Sequence, residues 1–81
     1  MLIKMYTRNH CSFCFAAKRL LTKRGFEFEE ITLTGEADRE QEMQQLTGRT
    51  SVPQIIIDGK AIGGYTELVE MDMEGELENV Q

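Results

Sequence analysis

The feature that most constrains this 81-residue chain is a pair of cysteines, two residues apart, just ahead of an amphipathic stretch. Cys11 and Cys14 are the only cysteines in the sequence. The apolar residues that follow Cys11 recur at the spacing of one helix face. These residues are Phe13, Ala16, Ala17, Leu20 and Leu21. The pattern predicts Cys11 at a helix start, where free backbone N–H groups and the positive end of the helix dipole favour a thiolate.

A cysteine pair of this kind can be structural, metal-binding or redox-active, and the rest of the sequence narrows the choice. Residues 1–5 lack the apolar core of a signal peptide, and no run of eighteen apolar residues occurs, so we expect a cytoplasmic protein without membrane association. In a reducing compartment the pair is expected to be catalytic or metal-binding rather than a structural disulfide. Two cysteines and one histidine are too few for a closed four-ligand zinc site within one chain. A redox dithiol is therefore favoured.

Size and charge exclude further classes of protein. A chain of this length predicts one domain over residues 1–81, and 41% apolar residues are enough for a small core. The formal net charge is −5, and no basic patch with interleaved aromatic residues occurs. Nucleic acid is therefore not an expected partner.

The first half of the chain reads as strand, helix and strand. The predicted elements cover residues 2–7, 12–24 and 26–33, and Gly25 ends the helix. In the second strand the apolar phase changes between Phe28 and Ile31, so this strand is either bulged or ends near Glu30. Strand, helix and strand in this order predict a right-handed parallel βαβ unit.

A helix and a β-hairpin follow. The helix is predicted over residues 37–47, with Met43 and Leu46 as its clearest inward-facing residues. Asp58-Gly59 is a strong hairpin signal. The hairpin strands are predicted over residues 52–57 and 60–62.

A third helix completes the predicted fold. Thr66 is its predicted N-cap, and residues 76–81 are acidic and expected to fray. The sum is an α/β fold of order β-α-β-α-β-β-α, in which a four-stranded mixed sheet is flanked by three helices. With a cysteine pair after its first strand, that order is thioredoxin-like.

Along nearly its whole length the chain resembles the dithiol glutaredoxins. The matching segments are Tyr6-Thr7-Arg8, Cys11-Ser12-Phe13-Cys14, Thr47-Gly48, Ser51-Val52-Pro53-Gln54 and Ile62-Gly63-Gly64. The resemblance implies an enzyme, a glutathione-dependent thiol–disulfide oxidoreductase that reduces protein disulfides and glutathione mixed disulfides. It also implies glutathione as co-substrate and disulfide-bonded or glutathionylated proteins as partners. We expect a monomer, and the sequence leaves a cluster-bridged dimer open.

The two cysteines are expected to have unequal roles. Cys11 is expected to attack the substrate disulfide, and its pKa is expected to be lowered, because helix-end N–H groups and nearby Arg8 both favour the anion. Cys14 is expected to be less exposed. It would resolve the mixed disulfide that Cys11 forms with a protein substrate.

The resemblance also implies a glutathione site. Arg8 would meet the glycyl carboxylate, the backbone of Val52 would pair with the glutathione cysteine beside a cis Pro53, and the amides of Tyr65 and Thr66 would receive the γ-glutamyl carboxylate. The full implied set is Arg8, Phe13, Ser51, Val52, Pro53, Gly64, Tyr65 and Thr66.

Three positions depart from the family pattern. Many members have Asp at Thr66, where it pairs with the ammonium group of the ligand, and Glu67 is the nearest replacement here. A family contact from the second helix falls near Glu40, a poor anion binder, with Arg39 and Gln41 as alternatives. Between the cysteines, Ser12-Phe13 replaces the commonest pair, Pro-Tyr. Some members with Ser at this position hold a [2Fe–2S] cluster between two subunits, with glutathione supplying the remaining thiolates.

Two alternatives to a glutathione-recharged enzyme remain open. One is a glutaredoxin-like electron donor to ribonucleotide reductase that thioredoxin reductase recharges, a group that Thr7-Arg8-Asn9 also resembles. The segment from Thr50 to Gln54, Gly63-Gly64 and the absence of tryptophan favour glutathione instead. The other is an iron–sulfur cluster carrier, whose members keep one cysteine followed by Gly-Phe-Ser. The presence of Cys14 favours dithiol chemistry.

Overall fold

The computed structural model describes residues 1–77, and its elements follow the predicted order. The strands are β1 (Ile3–Arg8), β2 (Glu29–Leu33), β3 (Gln54–Ile57) and β4 (Lys60–Gly63). The helices are α1 (Ser12–Lys23), α2 (Ala37–Thr47) and α3 (Tyr65–Met73). None of the described helices is long and apolar enough to cross a membrane. The predicted fold class is confirmed.

The four strands form one mixed sheet in the order β2-β1-β3-β4. Strand β1 runs parallel to β2, with Tyr6 opposite Ile31, and antiparallel to β3, with Tyr6 opposite Gln54. The β3–β4 hairpin turns at Asp58 and Gly59, whose φ angles of 51° and 82° are those of a two-residue hairpin turn. The sheet therefore joins the predicted βαβ unit to the predicted hairpin.

The two faces of the sheet carry two separate cores. Because side chains alternate along a strand, Met5 and Tyr6 point to opposite faces. The first core packs α1 and α3 on one face and contains Ile3, Met5, Ala17, Leu21, Ile55, Ile57, Leu68 and Leu77. The second packs α2 on the other face and contains Tyr6, Ile31, Leu33, Met43 and Ile56. Helices thereby cover β1 on both faces of the sheet.

The predicted start of β2 at Phe26 was wrong, whereas its predicted end at Leu33 is confirmed; the alternative left open, an end near Glu30, does not occur. Phe26 belongs to the turn that ends α1, since its N–H donates to the carbonyl of Leu21 at 3.0 Å. The strand begins at Glu29 and continues to Leu33, and both Ile31 and Leu33 are buried. The change of phase near Phe28 thus marks the boundary between loop and strand.

Two expectations about the helices were also wrong. Met43 is fully buried, whereas Leu46 is 51% exposed, because α2 meets the sheet through a narrow apolar face. The N-cap of α3 is Gly64 rather than Thr66, which lies inside the first turn.

The segment after α3 is anchored further along than predicted. The N–H of Glu76 donates to the carbonyl of Met71 at 3.0 Å, and Leu77 is fully buried in the core that holds α1. The expectation of fraying from residue 76 was therefore wrong for Glu76 and Leu77. Its remainder, residues 78–81, lies outside the described residues.

Candidate functional site

The dithiol lies at the start of α1, as predicted. Cys11 is the N-cap residue, and it is joined to Cys14 as a disulfide, with the two Cα atoms 5.2 Å apart. The N–H of Cys14 donates to Cys11 Sγ at 3.1 Å. A hydrogen bond to sulfur at the positive end of a helix stabilises a thiolate when the pair is reduced.

The two sulfurs differ in accessibility. Cys14 is 2% exposed and lies on the buried face of α1 with Ala17 and Leu21, whereas Cys11 is half-buried. Cys14 takes the inward position that the sequence assigned to Phe13, which is 63% exposed. An incoming disulfide therefore meets Cys11 first.

Beside Cys11 lies a depression that we call the charged cavity. Its lining residues are Arg8, Asn9, His10, Cys11, Ser12, Cys14, Phe15, Lys18 and Glu30. Within it the buried Thr7 hydroxyl donates to Glu30 Oε2 at 2.7 Å, and Lys18 Nζ donates to the same oxygen at 3.0 Å. The hydrogen bond from Thr7 is the largest cause that lowers the pKa of Glu30. Glu30 is therefore an ionised partner that Lys18 and Thr7 hold in place.

A second depression, which we call the proline groove, begins at Phe13, between the two cysteines in sequence. Its lining residues are Phe13, Arg49, Ser51, Val52, Pro53, Gln54, Gly64, Tyr65, Thr66 and Glu67. The Val52–Pro53 peptide bond is cis, as the resemblance implied. The rings of Phe13 and Tyr65 lie 5.8 Å apart, so they link the start of α1 to the start of α3. Seven of the eight predicted glutathione-binding residues line this groove, and Arg8 is the exception.

The glycine pair brings α3 close to the cis proline. A Cβ atom at Gly64 would lie 3.0 Å from the carbonyl oxygen of Pro53. One at Gly63, whose φ is +115°, would lie 2.6 Å from Glu67 Oε1. A side chain at Gly64 would therefore need the Pro53 carbonyl to shift by a few tenths of an ångström, and one at Gly63 would need the Glu67 side chain to move.

Glu67 lies in the first turn of α3. Its Oε1 accepts the N–H of Gly64 at 2.6 Å, and this hydrogen bond is the main cause that lowers the pKa of Glu67. The same oxygen lies 3.8 Å from Arg49 Nη1. The N–H groups of Tyr65 and Thr66 belong to the first turn, which has no intrahelical acceptors, so they are free to bind an anion.

Arg8 forms an ion pair with Glu40 of α2. Its two terminal nitrogens donate to the two carboxylate oxygens of Glu40, each at 2.6 Å. This hydrogen bonding raises the pKa of Arg8 and lowers that of Glu40. Arg39, one of the alternatives to Glu40, has a nitrogen 3.7 Å from Glu42 Oε1. Arg8, which was predicted to bind the glycyl carboxylate of glutathione, thus forms an ion pair with Glu40 of the same chain.

A second contact ties α2 to the sheet below this site. Tyr6 is fully buried, and its hydroxyl donates to Glu42. Burial is the largest cause that raises the pKa of Tyr6 to about 12, and the hydrogen bond to Glu42 adds to it. Tyr6 therefore stays protonated and acts as a fixed support for α2.

The sequence analysis missed one residue of the proline groove, Arg49. This residue is the only Lys or Arg among those that line the groove. Its place between Thr47-Gly48 and Ser51-Val52-Pro53 was a usable signal, because both segments carry the family resemblance and the second was already predicted to bind glutathione.

Comparisons with known proteins agree with this geometry. The family model described as Glutaredoxin matches residues 3–62. Glutaredoxin 3 of Escherichia coli K12 is 41% identical over 76 residues, which are 94% of this chain and 92% of the relative. A glutaredoxin of Neisseria meningitidis serogroup A is 40% identical over 79 residues, 96% of this chain and 93% of the relative. The chain belongs to the glutaredoxin family.

Solved structures support the same assignment. The crystal structure of a buckwheat glutaredoxin–glutathione complex superposes with a TM-score of 0.85 at 29% identity, covering 95% of this chain and 73% of that one. The solution structure of glutaredoxin from Brucella melitensis gives a TM-score of 0.81 at 37% identity, covering 96% and 85%. The fold and the Cys-x-x-Cys pair together define a thiol–disulfide oxidoreductase.

The cluster hypothesis gains no support from the described residues. They bring together no group of three or more His, Cys, Asp and Glu that could hold a metal ion. Within one subunit, Cys11 is the only partly exposed thiol that a bridged cluster could use, since Cys14 is buried.

Proposed function

We propose that this chain uses glutathione to reduce glutathione mixed disulfides and protein disulfides through Cys11 and Cys14. The observation that carries the proposal is the half-buried Cys11 sulfur at the start of α1, which accepts the N–H of Cys14. The similar buckwheat glutaredoxin was solved in complex with glutathione, which supports glutathione as the thiol that reduces this chain. The reaction needs a supply of reduced glutathione, in keeping with the cytoplasmic setting expected from the sequence.

In the monothiol reaction only Cys11 forms bonds. Its thiolate attacks the glutathione sulfur of a mixed disulfide, so that a Cys11–glutathione disulfide forms and the substrate leaves as a thiolate. The thiolate of a second glutathione then attacks the glutathionyl sulfur. Oxidised glutathione leaves, and the Cys11 thiolate is restored. The hydrogen bond from the N–H of Cys14 stabilises Cys11 as both nucleophile and leaving group.

In the dithiol reaction Cys14 takes part as well. The Cys11 thiolate opens a protein disulfide and forms a mixed disulfide with one of its sulfurs. The other substrate sulfur leaves as a thiolate in that step. The Cys14 thiolate then attacks Cys11 Sγ, and the substrate sulfur that was bonded to Cys11 leaves as a thiolate. The product is the Cys11–Cys14 disulfide present in this structure. Two glutathione molecules reduce it and leave as oxidised glutathione.

The proline groove is the proposed binding site for glutathione. The Val52 backbone beside cis Pro53 offers an edge for the backbone of the glutathione cysteine. The free N–H groups of Tyr65 and Thr66 would receive the γ-glutamyl carboxylate. Glu67 and Arg49 form an ion pair near these N–H groups. Glu67 would face the ammonium group of the γ-glutamyl residue, and Arg49 would face its carboxylate.

A coupled assay with two reducing systems tests the proposal. One system contains glutathione, glutathione reductase and NADPH, and the other contains thioredoxin reductase and NADPH without glutathione. We expect turnover of a small glutathione mixed disulfide in the first system only. Turnover only with thioredoxin reductase would instead identify a donor that this reductase recharges.

A further inference from the structure

The cations that line the two depressions beside the dithiol are already paired with carboxylates of the same chain. The pairs are Arg8–Glu40 at 2.6 Å, Lys18–Glu30 at 3.0 Å and Arg49–Glu67 at 3.8 Å. No Lys or Arg among the described lining residues of the charged cavity and the proline groove lacks such a partner. An incoming anion therefore meets cations whose charge is balanced.

Among these pairs Arg8–Glu40 is the most fully engaged. Two parallel hydrogen bonds join the guanidinium to the carboxylate, which is the strongest geometry for this kind of ion pair. The side chains are 37% and 30% exposed, so water screens the pair only in part. A ligand carboxylate that approaches Arg8 has to displace Glu40 or lie beside a like charge, and both are costly.

We infer that Glu40 sets the ligand specificity of this site by withholding Arg8 from the glycyl carboxylate. The inference rests on the proposed function, together with the placement that the family resemblance implies, in which the glycyl end of glutathione points toward Arg8. The substrate class then includes glutathionyl disulfides whose glycyl carboxylate is esterified or amidated, because a neutral end loses no ion pair here. Glu40 acts through Arg8 and is a positioning residue.

Two mixed disulfides of the same fluorescent thiol provide the test, one made with glutathione and the other with glutathione ethyl ester. Release of the fluorescent thiol reports turnover of each disulfide. With the unmodified protein we expect KM values within about twofold of each other. Glu40→Gln should lower KM for the glutathione form about threefold to fivefold and leave kcat and the ester form unchanged.

The matched control is Asp38→Asn, which removes the same charge from an exposed residue of α2. We expect this control to leave both KM values unchanged. A change in KM for glutathione equal to that of Glu40→Gln would indicate a general effect of net charge and would overturn the inference.

A second variant, Arg8→Gln, keeps the test independent of how well Glu40→Gln folds. Whatever its effect on turnover itself, Arg8→Gln should leave the ratio of the two KM values within about twofold of that of the unmodified protein, because Glu40 already withholds Arg8 from the glycyl carboxylate. A large rise in KM for the glutathione form that the ester form does not share would overturn the inference, as would strong preference of the unmodified protein for glutathione over its ester.

The outcomes separate this inference from the proposed function. If the unmodified protein releases thiol from neither disulfide, the proposed function fails and the inference fails with it. If it releases thiol from both and the ratio of the two KM values is the same in Glu40→Gln, only the inference fails.

Discussion

The proline groove and the charged cavity both adjoin the start of α1, which carries the dithiol, yet they are built in different ways. Backbone forms much of the groove, through the cis Val52–Pro53 bond and the Gly63-Gly64 pair that brings α3 close. The charged cavity depends on side chains. Its ion pairs join residues that are separated in sequence by 12 positions (Lys18 and Glu30) or 32 positions (Arg8 and Glu40). Local signals specify the first region, and the tertiary fold assembles the second.

This difference assigns the two regions unequal parts in binding. The groove presents N–H groups of a helix start that have no intrahelical acceptor. The cavity presents Arg8 and Lys18, each already held by a carboxylate. We therefore expect the groove to supply most of the affinity for glutathione, and the following changes test this division.

The largest effect is expected where the two regions meet. Cys11→Ser should abolish turnover of every disulfide, because the nucleophile is lost. Cys14→Ser should keep turnover of a small glutathione mixed disulfide and lose reduction of protein disulfides. Thiol release from both substrate types measures the two activities. Activity retained by Cys11→Ser would contradict the assigned roles of both cysteines.

A methyl group at Gly63, next to the proline groove, should have the next largest effect. In Gly63→Ala the new Cβ would lie 2.6 Å from Glu67 Oε1 at a φ of +115°, so Glu67 has to move away from the N–H of Gly64. We expect KM for a glutathione mixed disulfide to rise about tenfold and the free energy of unfolding to fall by about 1–3 kcal/mol. Steady-state kinetics and urea unfolding measure the two quantities.

Gly35→Ala is the control for backbone strain alone. Gly35 has a φ of +95°, but no heavy atom lies within 4 Å of an added Cβ. Its stability should therefore fall for the same conformational reason while KM stays unchanged. An equal rise in KM in both variants would mean that the groove itself is not what the methyl group disturbs.

The cap of α3 should show a smaller, pH-dependent effect. The pKa of Glu67 is lower in the native state than its ordinary value of 4.5, so its carboxylate stabilises the fold above the unfolded pKa, and this contribution is lost as pH falls through the native pKa. Glu67→Gln should cost at most about 1 kcal/mol at neutral pH, because solvent screens this partly exposed group. Urea unfolding at neutral and acidic pH should show the difference disappearing in acid. A difference that persists in acid would exclude the carboxylate as its source.

The smallest effect is expected inside the charged cavity. Thr7→Val removes the hydroxyl that is the largest cause of the lowered pKa of Glu30, so this pKa should rise toward 4.5. Carboxyl resonances followed by NMR across the acidic range measure the change. Thr32→Val is the control and should shift the pKa less, because Thr32 is a lesser cause. An equal shift in both variants would show that Thr7 has no special role. KM for glutathione should change less than about twofold in either case.

The proline groove was largely predictable from sequence. A Val-Pro pair before a β-branched strand, two consecutive glycines before a helix and a cysteine pair at a helix start are local patterns with local physical causes. The resemblance to glutaredoxins, which rests on these segments, assigned Val52, Pro53 and Gly64 to the glutathione site, and all three line the groove. Arg49 was missed because an exposed arginine in a loop carries no pattern of its own.

The predictions that were wrong have a different cause. In each case another residue, either in the same helix turn or distant in sequence, takes the buried position or the hydrogen bond that the local pattern suggested. Phe13 fits the apolar periodicity of α1, but Cys14 takes the buried position. Phe26 alternates with its neighbours like a strand residue, yet its N–H closes the end of α1. The pairing of Arg8 with Glu40 depends on how α2 packs on the sheet, which no local pattern encodes.

Burial of Leu77 has a practical consequence for anyone who engineers this protein. The residue packs in the same core as Ala17 and Leu21, on the inward side of the helix that carries the cysteines. A truncation drawn at Gly75, just after the helical signals end, would leave a hole beneath that helix. Reporter tags and fusion partners therefore belong beyond Leu77, where their attachment leaves the packing under the dithiol intact.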